Sequence, residues 1–248
     1  MLDIVNLSKY YSNTDGERVL AVSDLFLQVN RNEFVCIVGS SGCGKTTTLR
    51  LVAGLDRPTK GKITLDGKKI NGPSPERGVV FQEYTLFPWR TVLANITFGL
   101  EIKKIGKQEA CQIAGKYLQL VGLADYSRAY PYELSGGMQQ RVAIARALAA
   151  DPKILLMDEP FGALDARTRE LLQNELIRIW QNNQKTIIFV THSINEAIFL
   201  ADRIVVMKRN PGRIQEIVTI ELPRSRERTD ESYKRYYTKI HRMLENDL

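Results

Sequence analysis

Eight consecutive residues restrict this chain more than any other stretch. Gly39-Ser40-Ser41-Gly42-Cys43-Gly44-Lys45-Thr46 follows the spacing G-x-x-x-x-G-K-S/T, and it lies where that spacing has physical meaning. Before it, Phe34–Val38 is a short apolar run that reads as a buried strand. After it, Gly44 to about Ala53 reads as a helix ended by Gly54. Between strand and helix, glycines let backbone N–H groups turn inward and approach phosphate oxygens. The loop delivers those phosphates to a helix N-terminus, where unpaired N–H groups and the helix dipole favour negative charge. Lys45 adds a point charge for β- and γ-phosphates, and the Thr46 hydroxyl is placed to ligate Mg2+. Cys43 reads as a small residue that fits the loop, not as a redox group.

A second motif completes the chemistry. In Ile154-Leu155-Leu156-Met157-Asp158-Glu159, four apolar residues predict a buried strand whose C-terminal end presents two carboxylates. Ligands of open α/β sheets bind at that edge. Asp158 is expected to hold Mg2+, through water, and Glu159 to polarise an attacking water as general base.

The remaining pattern alternates strand and helix. Leu2–Leu7 and Leu25–Val29 read as early strands with the loop Ser12–Glu17 between them, followed by strands at Lys62–Leu65 and Gly78–Phe81. Apolar residues at three- and four-residue spacing from about Thr91 to Ala150 predict helices inserted into the core. Strands return at Lys153–Met157, Thr186–Val190 and Ile204–Met207. Between the first two of these, Leu171, Leu172, Leu176, Ile179 and Trp180 are read as the buried face of a helix. Such alternation implies a mainly parallel sheet covered on both faces. Tyr233, Tyr236, Tyr237, Ile240, Met243 and Leu244 suggest a final amphipathic helix that packs on its own core.

Composition removes several function classes. The 248 residues carry a net charge of +7 and a pI of about 9.3. The Lys and Arg residues are scattered, with no basic run interleaved with aromatics, so nucleic acid is not an expected partner. A basic surface near an anionic membrane, or a site for a charged nucleotide, accounts for the charge. Three cysteines, Cys36, Cys43 and Cys111, form no CxxC pair, which argues against a disulfide framework or a zinc site. No signal-peptide pattern opens the chain, and no apolar run reaches the roughly 18 to 20 residues of a membrane span, so a soluble chain is expected.

Leu134-Ser135-Gly136-Gly137-Met138-Gln139-Gln140-Arg141 identifies the class. It resembles the LSGGQ signature of ATP-binding cassette (ABC) proteins, with Met138 where that motif most often has Gln. Ser135 and the two glycines open a helix, a second anion-seeking N-terminus in one chain. The resemblance implies that two subunits pack head to tail, each signature closing over the ATP held by its neighbour's phosphate loop. The other motifs follow in order. Gln82 resembles the Q-loop glutamine, which senses Mg2+ and the attacking water. Ala163-Leu164-Asp165 resembles the D-loop, and His192 the switch histidine that reaches the γ-phosphate. Tyr11 aligns best with the aromatic that stacks on adenine, with Tyr10 as the alternative. Thr47 is grouped with the phosphate-binding residues.

The family's fold is an α/β phosphate-loop NTPase (RecA-like) core, with an N-terminal antiparallel β subdomain and an inserted helical subdomain. The resemblance places the ATPase domain at 1–220, the helical insertion at about 88–150 and a helical tail at 221–248. It implies ATP and Mg2+ as cofactors, and a homodimer or a paired homologous ATPase. It also implies an integral membrane permease docked near the Q-loop, and a solute-binding protein as an indirect partner. Glu83-Tyr84-Thr85-Leu86-Phe87-Pro88-Trp89, directly after Gln82, offers an exposed apolar stretch for that docking. From Glu76 to Arg90 the sequence looks most like importers of nitrate, sulfonate, taurine and related small anions. The implied location is the cytoplasmic face of a prokaryotic cell membrane, as a peripheral protein. The alternative is a soluble ABC-type ATPase acting on nucleic acid or ribosomes. The stretch between Lys45 and Ser135 is too short for the coiled coil or zinc module of the DNA-acting kind, and the single cassette is unlike the two of translation-associated ones.

Overall fold

Two kinds of burial pattern separate the strands. A computed structural model describes residues 1–12, 16–83, 85–162, 164–183, 185–224 and 226–245. In chain order the first segment holds β1 (Leu2–Ser12), β2 (Arg18–Val29), β3 (Phe34–Gly39), α1 (Lys45–Ala53), β4 (Lys60–Leu65) and β5 (Lys68–Lys69). The middle segment holds β6 (Arg77–Val80), α2 (Val92–Ile102), α3 (Lys107–Leu120), α4 (Gly136–Ala149), β7 (Ile154–Asp158) and α5 (Ala166–Asn183). The last holds β8 (Thr186–Thr191), α6 (Ile194–Leu200), β9 (Arg203–Lys208), β10 (Arg213–Thr219) and α7 (Glu231–Glu245). The chain forms two compact units, one made of residues 1–74 and 184–248, the other of residues 75–183.

In the first unit, β3 and β8 are buried at every residue, as strands covered on both faces must be. β3 pairs in parallel with β8 on one side and β9 on the other, and β10 closes against β9 antiparallel. The remaining strands form a separate antiparallel sheet in the order β2-β1-β4-β5. There the end of β2 alternates buried and exposed residues, the signature of a half-covered sheet. α1 starts at Gly44 and stops at Gly54, whose φ of 78° and N–H bonds back to the last turn form a left-handed cap.

The tail packs on this same unit. Tyr233 is buried and its hydroxyl donates to the Asn195 carbonyl at 2.9 Å, while Ile240 is fully buried on the same helix. Arg226 donates to the carbonyls of Ile198 and Ala201 at the C-terminal end of α6, and Arg224 to the Leu200 carbonyl and the Asp202 carboxylate. Two guanidinium groups thereby satisfy carbonyls that a helix end leaves open.

In the second unit, α2, α3 and α4 pack on one another through residues at four-residue spacing: Val92, Ile96 and Leu100 on α2, and Ala110, Ala114 and Leu118 on α3. β6 and β7 are parallel neighbours, with Val80 opposite Met157.

The structure revises several sequence expectations, among them β1, which runs to Ser12 rather than Leu7. β2 begins at Arg18 rather than near Leu25, and β6 ends at Val80, leaving Phe81 outside it. β10 and the short β5 were not foreseen. Leu171 is 59% exposed: it shares its helix face with Glu175 and Arg178, while Leu172, Leu176 and Ile179 form the buried one. Of the expected loop at 12–17, residues 13–15 lie outside the described residues.

Candidate functional site

The phosphate loop joins β3 to α1 and is shaped by close approaches. A Cβ on Gly39 would collide with the Cys43 sulfur and lie 2.7 Å from the Met207 carbonyl oxygen. At Gly44 it would strike the Val22 side chain, and there φ is +88°. Only glycine meets both demands. Cys43 is wholly buried beneath the loop, a packing role. The Lys45 ammonium curls over the loop and donates to the carbonyls of Gly39 (2.8 Å) and Ser40 (3.0 Å). Ser41, Gly42 and Thr46 stay exposed at the rim, and Thr48 donates from its hydroxyl to the Gly44 carbonyl at 2.9 Å.

Two other candidates belong to the same unit. Val38 pairs with Thr191, so Gly39 and His192 leave their parallel strands side by side at the C-terminal edge. His192 is exposed. The Thr191 hydroxyl beside it donates to buried Glu196 at 2.6 Å, and Ser193 caps α6 by accepting from the Glu196 N–H. Tyr11, near the end of β1, is tied to α1 through Asp56: its hydroxyl donates to that carboxylate at 2.9 Å, and Arg50 of α1 holds the same carboxylate at 3.1 Å. Of the two tyrosines considered, Tyr11 is the one joined to the phosphate-loop helix by these side chains.

The second unit gathers the acidic strand end, Gln82 and the signature. Because Val80 lies opposite Met157, Gln82 and the pair Asp158-Glu159 emerge at one edge. Asp158 is buried. Glu159 turns into the left-handed region with φ +46°, a conformation that costs a residue with a side chain about 1 kcal/mol or more. The strand runs straight through Asp158 and the backbone reverses hand at the next residue.

Ser135 caps α4: its hydroxyl oxygen accepts from the Met138 N–H at 3.3 Å, and Gly136 and Gly137 make the first turn. Met138 enters this cap only through its backbone N–H. Asp165 caps α5 by accepting from the Thr168 N–H at 2.9 Å, and that bond holds its carboxyl below the usual range. Ala163 of the expected D-loop lies outside the described residues, as does Tyr84 after Gln82.

The segment following Gln82 is held from behind. The Asn95 amide is fully buried. It donates to the carbonyls of Phe87, Arg90 and Thr91 at 3.1 Å each, and its oxygen accepts from the Phe87 N–H at 2.8 Å. Thr91 caps α2. Phe87 stacks edge-on against Phe98 with ring centroids 4.6 Å apart. Trp89, two residues on, remains 73% exposed. A cleft of about 480 Å³ opens nearby, lined by Leu93, Ala94, Ile105, Ala110 and Cys111 among others. Sequence reasoning named Leu86 to Trp89 but missed Asn95, Arg146 and Asp56, whose contacts come from distant parts of the chain.

These residues fit ATP with Mg2+. The loop admits no Cβ at its two tight glycines, a lysine ammonium sits over it, and the Thr46 hydroxyl is a hard oxygen donor at its rim. Among the described residues no helix is long and apolar enough to cross a membrane.

Comparison with known proteins agrees with the geometry. Residues 22–162 match the family model described as ABC transporter. The chain is 57% identical over 247 residues to an uncharacterized ABC transporter ATP-binding protein of Methanocaldococcus jannaschii, covering all of this chain and 92% of that protein. It is 51% identical to the nitrate import ATP-binding protein NrtD of Synechocystis sp., over 90% of this chain and 83% of that one. With the aliphatic sulfonates import ATP-binding protein SsuB of Bacillus cereus it shares 43% identity, over 98% and 96% of the two chains. A solved dimeric bacterial ABC transporter cassette superposes with a TM-score of 0.83 at 35% identity, covering 90% of this chain and all of the other. A post-hydrolysis cassette bound to ADP and Pi gives a TM-score of 0.82 at 34% identity, with the same coverage of each chain. With the phosphate loop, the acidic strand end and the capped signature helix all present, the chain belongs to the ABC transporter family and is one of its ATP-hydrolysing cassettes.

Proposed function

We propose that this cassette energises import of a small anion through separate membrane permease subunits, on the cytoplasmic face of a prokaryotic membrane. The observation that carries this reading is the likeness to nitrate and aliphatic sulfonate import proteins over most of their lengths. The exposed Trp89, standing on a corner pinned by buried Asn95, supports docking of a short permease segment beside Gln82. The neighbouring apolar cleft adds to that support. A solute-binding protein then acts through the permease and not on this chain.

The roles follow from the motifs. Gly39–Thr47 and Lys45 hold the phosphates, with Tyr11 stacked on the adenine. Thr46, Gln82 and Asp158 hold Mg2+, which when bound neutralises charge on the phosphate oxygens. Glu159 takes the proton of the attacking water from the point where the backbone turns left-handed after the strand. His192 and Gln82 report the γ-phosphate and the water. Ser135, Gly136, Gly137 and Asp165 serve across a dimer of two copies or of this chain with a homologue. ATP then favours the closed dimer and its hydrolysis releases it. Residues 1–220 are read as the ATPase domain, about 88–150 as its helical insertion and 221–248 as a tail.

The test is ATPase activity of the chain reconstituted with the permease that co-purifies with it. Nitrate or a sulfonate, delivered by its binding protein, should stimulate hydrolysis, and Glu159→Gln should retain ATP binding while turnover falls a hundredfold or more. Stimulation by DNA or ribosomes in place of the permease would overturn the import reading.

A further inference from the structure

The ring of Tyr11 is constrained on several sides by residues outside the recognised motifs. Its hydroxyl donates to Asp56 Oδ2 at 2.9 Å. Arg50, in the last turn of α1, donates its Nε–H to the same oxygen at 3.1 Å. Lys9, two residues before Tyr11 on β1, places its ammonium 3.5 Å from Asp56 Oδ1, and 4.8 Å from the centroid of the Tyr11 ring, over its face. That ammonium also donates to the Arg57 carbonyl at 3.0 Å.

The loop carrying Asp56 is itself latched to β1. Thr59 N–H donates to the Ser8 carbonyl, and the Thr59 hydroxyl accepts from the Tyr10 N–H at 3.1 Å. Gly54 ends α1 and turns the chain so that Leu55 and Asp56 bond back to Arg50. The carboxylate therefore sits at a fixed point between strand and helix.

A tyrosine at a strand end swings about its side-chain torsions unless its hydroxyl is held. Here Asp56 fixes the far end of the ring, and Lys9 covers one face with a cation–π contact. Tyr11 as a whole is 38% exposed. We infer that Asp56 is a positioning residue for nucleotide binding: it locks the Tyr11 ring so that a purine base stacks on the face opposite Lys9. This rests on the reading of Tyr11 as the base-stacking residue. Burial and the bond to Asp56 raise the Tyr11 hydroxyl above its ordinary value and keep it a donor. For Asp56, desolvation pushes upward, but bonds from Tyr11 and Arg50 and the charges of Lys9 and Arg50 outweigh it and keep the group ionised.

Holding the ring removes an ordering cost that binding would otherwise meet, so release should weaken ATP binding about three- to tenfold. The experiment measures affinities of the full chain for ATP and for tripolyphosphate, which has no base, by titration calorimetry. Thermal melts check folding. Tyr11→Phe deletes the hydroxyl at constant charge and keeps the ring. It should weaken ATP several-fold and leave tripolyphosphate unchanged. Asp56→Asn should weaken ATP to the same degree, and Tyr11→Phe with Asp56→Asn no further. In a Tyr11→Ala background Asp56→Asn should have no effect on ATP. If Tyr11→Ala weakens ATP but Tyr11→Phe and Asp56→Asn do not, the positioning role is wrong and the stacking reading stands. If Tyr11→Ala leaves ATP affinity intact, the stacking reading fails and the inference with it. Equal weakening of ATP and tripolyphosphate by Tyr11→Phe would overturn the inference in favour of a general effect on the loop.

Discussion

Arg146 holds Thr85 by both its backbone and its side chain. From α4, the helix that Ser135 opens, its guanidinium donates to the Thr85 carbonyl at 2.9 Å and to the Thr85 hydroxyl at 3.1 Å. The same group lies 5.6 Å from the centroid of the Phe87 ring. Thr85 has a φ of +44°, so its backbone is held in a region that residues with side chains seldom adopt. The signature helix and the segment after Gln82 are therefore one mechanical piece.

Removing that clamp should loosen the segment before anything else. Arg146→Ala is expected to speed amide exchange at residues 85–90 and to lower stability by about 1–3 kcal/mol, the cost of lost charge-assisted hydrogen bonds. Burial already holds the Arg146 guanidinium below its usual range, and Lys at this position would lack the paired donors that reach Thr85. Hydrogen exchange read by mass spectrometry checks the prediction. Unchanged exchange at 85–90 would count against it.

A second expectation concerns the signature. Ser135→Ala removes a helix cap worth about 1 kcal/mol, yet the larger effect should fall on ATP turnover. If two copies share each nucleotide, a one-to-one mixture of Ser135→Ala with Lys45→Ala should recover activity that neither variant has alone. One of the two composite sites in a mixed dimer is then intact. Steady-state ATPase of the mixture against each parent decides the matter.

A third expectation concerns acid. The bond from Arg90, reinforced by Thr97, keeps the Glu101 carboxyl below its ordinary value despite some desolvation. A carboxylate whose folded value is depressed adds stability above its unfolded value, near 4.3, and loses it as pH falls through the folded value. Arg90→Gln should therefore be less stable than the parent at pH 7, and the gap should close below about pH 4. Urea unfolding at several pH values measures it. A gap that does not narrow as the pH falls would show that Arg90 acts through packing against Phe98 instead.

Much of the fold was legible where local chemistry suffices. Phe34–Val38 reads as a strand because every residue is apolar, and Gly54 ends α1 because its left-handed backbone suits glycine. β10 was missed for a physical reason. A register shift between Ile214 and Glu216 throws its apolar residues off the two-residue alternation. Leu171 misled because the apolar stripe of α5 was read one residue too wide.

The site divides the same way. The phosphate loop and the signature are contiguous in sequence, so their chemistry is spelled out locally. Asp56 and Arg146 reach their partners across 45 and 61 residues, and no pattern in either segment announces that contact. Asn95 looks like an ordinary polar residue on a helix until burial and its bonds to the 87–91 corner are seen together.

The cap at Ser135 makes residue 138 chemically anonymous there. What it contributes is a peptide nitrogen, which methionine carries as well as glutamine does. Nineteen of the twenty amino acids are interchangeable for that bond, and proline alone, lacking the hydrogen, would break it. Whatever selects the side chain at that place must come from what lies beyond the cap.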